Sequence, residues 1–135
     1  MRRTLTLALL TLASVAACGD AATEPLRLDG TYRLARVNGV ATPAPLPGGV
    51  DGVAARVTGG SVTLEPTGLW RAEVRVLVGP DGSGATVSDL HAGRWTVSRD
   101  TVRLRDEIDG VTFVAVARGA RLSAVVEGAT FDFDR

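Results

Sequence analysis

The stretch 69-LWRAEVRVLV-78 decides the fold of this 135-residue chain. Apolar residues occupy every even position from Trp70 to Val78, and charged residues alternate with them at Arg71, Glu73 and Arg75. A period of two places all the even side chains on one face of an extended strand. The stretch therefore predicts a long β-strand with one buried face and one solvated face.

The rest of the chain from residue 30 onward repeats this pattern in shorter form. Alternating stretches are separated by Gly, Pro, Asp and Asn at spacings of about 8 to 12 residues, which is typical of an antiparallel sandwich or barrel. We predict an all-β fold, an up-and-down antiparallel meander of eight or nine strands that closes into a barrel, because closure leaves no unpaired edge. The predicted strands are 31–37, 54–58, 61–65, 69–78, 92–98, 101–106, 111–117, 121–127 and 129–134.

Several connections carry distinct turn signals. Asn38-Gly39 follows the first strand, and Pro66-Thr67-Gly68 precedes the longest one. Gly59-Gly60 predicts a two-residue hairpin turn, because both glycines accept a positive φ. Residues 79–89 are rich in Gly, Ser and Asp and predict a loop.

The first eighteen residues resemble an export signal. A basic start, Met1–Arg3, is followed by an uncharged run, Leu5–Ala17, that is too short to span a membrane. Val15-Ala16-Ala17-Cys18 resembles the lipobox of bacterial lipoproteins, whose cysteine becomes the acylated N-terminus of the mature chain. The resemblance implies a cleaved helical signal peptide over 1–17, an acylated Cys18 with a flexible tether over 18–28, and a barrel domain over 29–135.

The same resemblance implies a location in the bacterial envelope. In many such lipoproteins an Asp as the second mature residue retains the protein in the inner membrane. Here Gly19 is second and Asp20 is third, which favours the outer membrane, facing the periplasm. Removal of Arg2 and Arg3 leaves 13 of the 15 basic residues against 15 acidic ones. A slightly acidic domain disfavours nucleic acid as a partner.

A second resemblance concerns the mature domain. The segment 30-GTYRL-34, followed by 37-VNGV-40 and a Pro-rich stretch, resembles the opening of bacterial lipocalin-like lipoproteins. Their first strand carries a Gly-x-Trp-x-Leu pattern before an Asn-Gly turn. The hairpin of 93-GRWTVS-98 and 101-TVRL-104 also fits their rhythm, and the resemblance covers about 28–134. It implies a lipocalin-like barrel.

The favoured function is non-enzymatic binding of a small apolar ligand inside this barrel. All six aromatic residues fall on inward positions and are the candidate ligand-binding residues: Tyr32, Trp70, Trp95, Phe113, Phe131 and Phe133. The inward residues also include small ones, Ala72, Ala115 and Ala124. Such a mixture either tapers a packed core or leaves a cavity, and the sequence leaves both open.

The alternative is a protein-interaction module, such as a periplasmic inhibitor or an envelope assembly factor. It would act through two connections, the Pro-rich segment around 43–47 and the predicted loop 79–90. Alternate prolines favour polyproline II and prevent strand pairing. The Pro-rich segment either presents Leu46 to a partner, folds over one barrel end as a lid, or is a stiff connection.

No group of residues predicts catalysis, a metal site or a cofactor. His91, the single histidine, is interpreted as a solvated loop residue. Asp106–Gly110 lacks the length of a calcium loop and is interpreted as a turn, and Asp81–Gly84 as a flexible hairpin tip. Asp132 and Asp134 are interpreted as outward carboxylates that pair with arginines across strands. We therefore expect no enzyme, and partners limited to a membrane, reached through the lipid anchor, and a small apolar ligand or a protein.

Overall fold

The computed structural model describes residues 27–80 and 83–135. The predicted signal peptide, Cys18 and the tether up to residue 26 lie outside the described residues. Within the described part, no helix is long and apolar enough to cross a membrane. The strands are β1 (Gly30–Val37), β2 (Val40–Ala41), β3 (Ala44–Pro45), β4 (Ala55–Leu64), β5 (Leu69–Val78), β6 (Ala85–Ser98), β7 (Thr101–Asp106), β8 (Thr112–Arg118), β9 (Arg121–Val126) and β10 (Ala129–Asp134).

Eight of these strands close into an antiparallel barrel. From β4 to β10 each strand pairs with the next in the chain, and β1 pairs with both β10 and β4. The short β2 and β3 lie beside β1 and β4. The predicted all-β up-and-down barrel is therefore confirmed. Each barrel strand finds both of its neighbours within the described residues, so the barrel closes without a strand from the residues that precede them.

The connections alternate between the two ends of the barrel, because successive strands run in opposite directions. We name these the closed end and the open end. The closed end carries the connections 65–68, 99–100 and 119–120 together with residues 27–29 and 135. The open end carries the connections 38–54, 79–84, 107–111 and 127–128.

Side chains fill the closed end. Tyr32 is fully buried and donates its hydroxyl to the carbonyl of Leu28 at 2.8 Å, and the Arg135 guanidinium lies 5.5 Å from the Tyr32 ring centroid. Trp95 donates its Nε1 hydrogen to the carbonyl of Glu65 at 2.9 Å. The Tyr32 hydroxyl and the Trp95 indole N–H therefore both have hydrogen-bond partners, and the two aromatic side chains close this end of the barrel.

The predicted hairpin at Gly59-Gly60 is wrong, because β4 continues through both residues. Neither glycine has the positive φ that a two-residue turn needs. The register instead shifts between Val57 and Gly59, which marks a β-bulge. A Cβ on Gly60 would lie 2.5 Å from the carbonyl oxygen of Glu73. Glycine here permits the close approach of β4 and β5 rather than a turn.

The predicted loop over 79–89 is also wrong in its second half, because β6 begins at Ala85. Residues 85–94 pair with β5, whereas β7 pairs only with 93–98. Within the described residues, the first half of β6 thus has an open edge. Residues 85–90 are exposed on both faces. A strand solvated on both faces has the polar composition of a loop, which explains the error.

Candidate functional site: a cavity at the open end

The barrel interior holds a cavity of about 210 Å³. Its walls are inward residues of the barrel strands, among them Val62, Trp70, Ala72 and Phe131. Leu46 and Glu127 also border it, and both belong to connections at the open end. The mixture of large and small inward residues has therefore left a cavity that opens at one end.

The six aromatic candidates divide between the two ends. Four of them, Trp70, Phe113, Phe131 and Phe133, line the cavity together. Tyr32 and Trp95 are not among its lining residues and pack at the closed end instead. All six belong to the core or pack against it, as the alternation predicts. A role for any of them in ligand binding stays a prediction.

The Pro-rich segment borders the cavity at the open end of the barrel. The expectation that its prolines prevent strand pairing is wrong, because Ala44 and Pro45 form β3 and pair with β4. The amide of Leu46 donates to the carbonyl of Ala55 at 2.9 Å. Leu46 and Pro47 border the cavity, and Leu46 packs against the core. The segment therefore lies at the open end of the barrel, and its role as a lid, a partner-binding segment or a stiff connection stays a prediction.

His91 faces the barrel interior, so its interpretation as a solvated loop residue is wrong. It lies on β6, and its imidazole is bracketed by two carboxylates. Nδ1 lies 2.5 Å from Oδ2 of Asp106, and Nε2 lies 3.0 Å from Oδ2 of Asp89. The His91 side chain is 16% exposed and that of Asp106 is 0% exposed. The carboxylate of Asp89, in contrast, is mostly in solvent.

Local backbone geometry sets the position of Asp106. This residue ends β7, pairs with Gly93 on β6, and accepts the backbone amide hydrogen of Ile108 at 2.7 Å. A Cβ at position 93 would collide with the carbonyl of Arg105, so glycine lets the two strands approach there. The turn predicted over Asp106–Gly110 is confirmed, and its first carboxylate is turned into the barrel.

Two aromatic rings fix the His91 ring. Trp70 stacks on it with 6.5 Å between ring centroids and 15° between ring planes. Phe113 meets His91 edge-on at 5.0 Å and Trp70 edge-on at 6.1 Å. The Trp70 Nε1 hydrogen is donated to the carbonyl of Arg105 at 3.0 Å. These contacts pack the His91 ring against two aromatic side chains on one wall of the cavity.

The His91–Asp106 pair shifts the acidity of both partners. Burial lowers the pKa of His91, but its hydrogen bonds to Asp106 and Asp89 outweigh burial and raise the pKa above 6.5. Burial raises the pKa of Asp106, but hydrogen bonds from the Ile108 amide and from His91 outweigh it and lower the pKa below 3.8. Both net shifts favour an imidazolium facing a carboxylate.

The arrangement can hold a proton between the imidazole and its carboxylate partners. Both imidazole nitrogens have carboxylate partners, so no hydroxyl or thiol of residues 27–80 and 83–135 occupies the position that a catalytic triad gives its nucleophile. His91, Asp106 and Asp109 place ligand atoms within 4.8 Å of one another and could together coordinate a divalent cation. The predicted absence of a metal site and of enzymatic activity stays a prediction.

The other candidate carboxylates lie on the outer surface. Asp134 pairs with Arg121 across β9 and β10 at 2.7 Å, as predicted. Asp132 instead accepts the Ser123 hydroxyl at 2.6 Å. Two residues of the predicted hairpin tip at Asp81–Gly84 lie outside the described residues.

One sequence signal could have found the His91 site. Trp95 faces inward, and a period of two carries the inward face back through Gly93 to His91 and Asp89. The predicted strand begins at Ala92, whereas β6 begins at Ala85, so the prediction leaves both residues in a loop. Asp106 lies fifteen residues further along the chain and is brought next to His91 by the register between β6 and β7. No local sequence pattern predicts that pairing.

The fold and the site together define a class, an all-β up-and-down barrel whose apolar cavity opens at one end. No protein-family model matches the chain, and no curated protein is significantly similar to it. Among solved structures, the crystal structure of the Cpx pathway activator NlpE from Escherichia coli is similar at 21% identity and a TM-score of 0.46. The similar region covers 71% of this chain and 41% of that chain. A likeness of this extent does not establish a shared function.

Proposed function

We propose that this chain is a lipid-anchored envelope protein whose barrel binds a small, mainly apolar molecule without converting it. The observation that supports the proposal is the cavity of about 210 Å³ with aromatic and aliphatic walls. Its polar lining is confined to a few groups, Asp89, His91 and Glu127. Apolar walls with a few convergent polar groups are typical of small-molecule sites.

The anchor and the location are proposed from the sequence alone. Acylation of Cys18 would tether the barrel to the membrane, and Gly19 in the second mature position favours the outer membrane. Fractionation of the producing cells tests this. We expect the wild-type chain in the outer-membrane fraction and a Cys18→Ser chain outside it. Equal distribution of the two chains would contradict the anchor.

Native mass spectrometry tests ligand binding most simply. The chain from residue 19 onward, purified gently from its own kind of host, should carry an adduct of roughly a few hundred daltons. Ala72→Leu should abolish the adduct, because residue 72 lines the cavity and a larger apolar side chain fills it. Trp95→Phe is the matched control, since Trp95 packs at the closed end, and it should keep the adduct. A clean apo mass for all three chains would overturn the proposal.

The open edge of β6 favours a second candidate function, the capture of an extended segment of a partner protein. Edge strands recruit such segments through backbone hydrogen bonds. Val87 and Leu90 on this strand are 52% and 60% exposed and would contact the added strand. Binding to a purified envelope protein that Leu90→Lys abolishes and Ala72→Leu leaves intact would favour this function. The reverse pattern would exclude it.

A further inference from the structure

We propose that the ligand is an amphipathic amine, with its apolar body in the cavity and its ammonium group at the mouth beside Asp89 and Glu127. The inference rests on the proposed function and specifies the chemical class of the ligand that the same cavity binds. Three features carry it: the sign of the charges around the cavity, the free acceptor positions at its mouth, and the aromatic walls.

The charge around the cavity is negative in every protonation state of His91. Asp89 and Glu127 line the cavity, and the carboxylate of Asp106 lies against the His91 ring. The cavity surroundings thus hold three carboxylates and one imidazole, and two of the carboxylates, Asp106 and Asp89, contact that imidazole. Although the chain is rich in arginine, no arginine of the described residues lines the cavity. His91 is the one described lining residue that can carry a positive charge, and the carboxylates outnumber it. An anionic head group would therefore meet a net negative charge, whereas an ammonium group would be attracted.

The mouth of the cavity offers free acceptors on two sides. Asp89 accepts from His91 through Oδ2, and its other oxygen has no hydrogen-bond partner among the described residues. Glu127 is exposed in the turn between β9 and β10, three strands further round the barrel from Asp89 on β6. An ammonium group has three donors and no acceptor, which suits a site made of carboxylates.

The aromatic walls of the cavity also favour a positively charged ligand. Trp70 and Phe113 both line the cavity, and the face of an aromatic ring carries partial negative charge. The rings therefore add to the negative potential inside the cavity, which favours a cationic ligand over an anionic one. The apolar body of the ligand would occupy the deeper part of the cavity, against Val62 and Phe131.

A series of three ligands with one alkyl chain tests the inference. In a Trp95→Phe chain starting at residue 19, Trp70 is the single tryptophan and reports on the cavity by its fluorescence. Octylammonium, octanol and octanoate are titrated at neutral pH. We expect octylammonium to bind about tenfold more tightly than octanol, as a hydrogen-bonded charge pair would give, and octanoate to bind most weakly.

Charge variants identify the groups responsible. Asp89→Asn and Glu127→Gln should each weaken octylammonium binding severalfold and leave octanol binding unchanged. Asp100→Asn, which removes the same charge from an exposed turn at the closed end, should change neither. Circular dichroism verifies that each variant is folded.

The outcomes separate this inference from the function on which it rests. If octanol and octanoate bind as tightly as octylammonium, the cavity binds ligands but the amine preference is refuted. The same holds if Asp89→Asn and Glu127→Gln act no more strongly than Asp100→Asn. If none of the three ligands binds, the proposed function fails together with the inference.

Discussion

Replacement of Asp106 by alanine should destabilise the barrel strongly. Asp106 is fully buried and accepts two hydrogen bonds, from the Ile108 amide at 2.7 Å and from His91 Nδ1 at 2.5 Å. Asp106→Ala removes both acceptors and leaves the Ile108 amide hydrogen and the Nδ1 atom of His91 without these partners. The cost therefore includes the desolvation of two polar groups as well as the lost bonds.

The magnitude follows from these contacts. A hydrogen bond to a charged group contributes about 1.5 to 3 kcal/mol, and breaking a buried ion pair costs about 3 to 5 kcal/mol. We expect Asp106→Ala to lower the free energy of unfolding by about 3 to 5 kcal/mol. Asp106→Asn keeps the shape and one acceptor for the Ile108 amide, so about half of this loss is expected.

Urea unfolding of the chain from residue 19, followed by tryptophan fluorescence, measures the loss. Asp134→Ala is the matched control, because it removes a carboxylate that pairs with Arg121 on the exposed surface. Exposed ion pairs contribute little, so this control should unfold close to the wild type. A loss for Asp106→Ala of less than about 1 kcal/mol, or no larger than that of Asp134→Ala, would refute the role of the buried pair.

The same structure makes three further predictions. The stabilisation contributed by the His91–Asp106 pair should be greatest between pH 3.8 and 6.5. The pKa of His91 is raised by folding, so this stabilisation is lost as the pH rises above 6.5 and the folded protein gives up its imidazolium proton. The pKa of Asp106 is lowered by folding, so the stabilisation is also lost as the pH falls below 3.8 and the carboxylate is protonated. Urea midpoints across pH measure this, and stability that climbs steadily above pH 6.5 would contradict it. Gly60→Ala should lower the free energy of unfolding by about 1 to 3 kcal/mol, because the new Cβ collides with the backbone of Glu73. Gly59→Ala should be nearly neutral, because its Cβ meets only the end of the flexible Arg75 side chain. Equal thermal midpoints for the two variants would show this reasoning to be wrong. Amide hydrogens at alternate positions of 85–92 should exchange within minutes, since this edge of β6 is open; uniform protection by hydrogen-exchange NMR would show that the edge is covered.

Polarity patterns predict most of this fold but not the site. The strand 69–78 is predicted with its observed bounds because its two faces differ sharply in polarity. The pattern fails at Gly59-Gly60 and over 85–91, where a close backbone approach and a strand solvated on both faces have the composition of turns and loops. The pairing of His91 with Asp106 depends on the register between β6 and β7, which no local pattern carries. The cavity depends on the summed volumes of side chains from many strands, which alternation alone does not give.

Methyl NMR of the chain from residue 19 during an octanol titration tests the central claim most directly, because it reports where a small apolar molecule binds. We predict saturable shifts, with one common affinity, for the methyl groups of Ala72, Val74 and Val126, which line the cavity. The methyl groups of Leu28 at the closed end and of Leu90 on the outer surface should not shift. Shifts confined to Leu90, or no saturable shift at any cavity methyl group, would contradict a ligand-binding barrel.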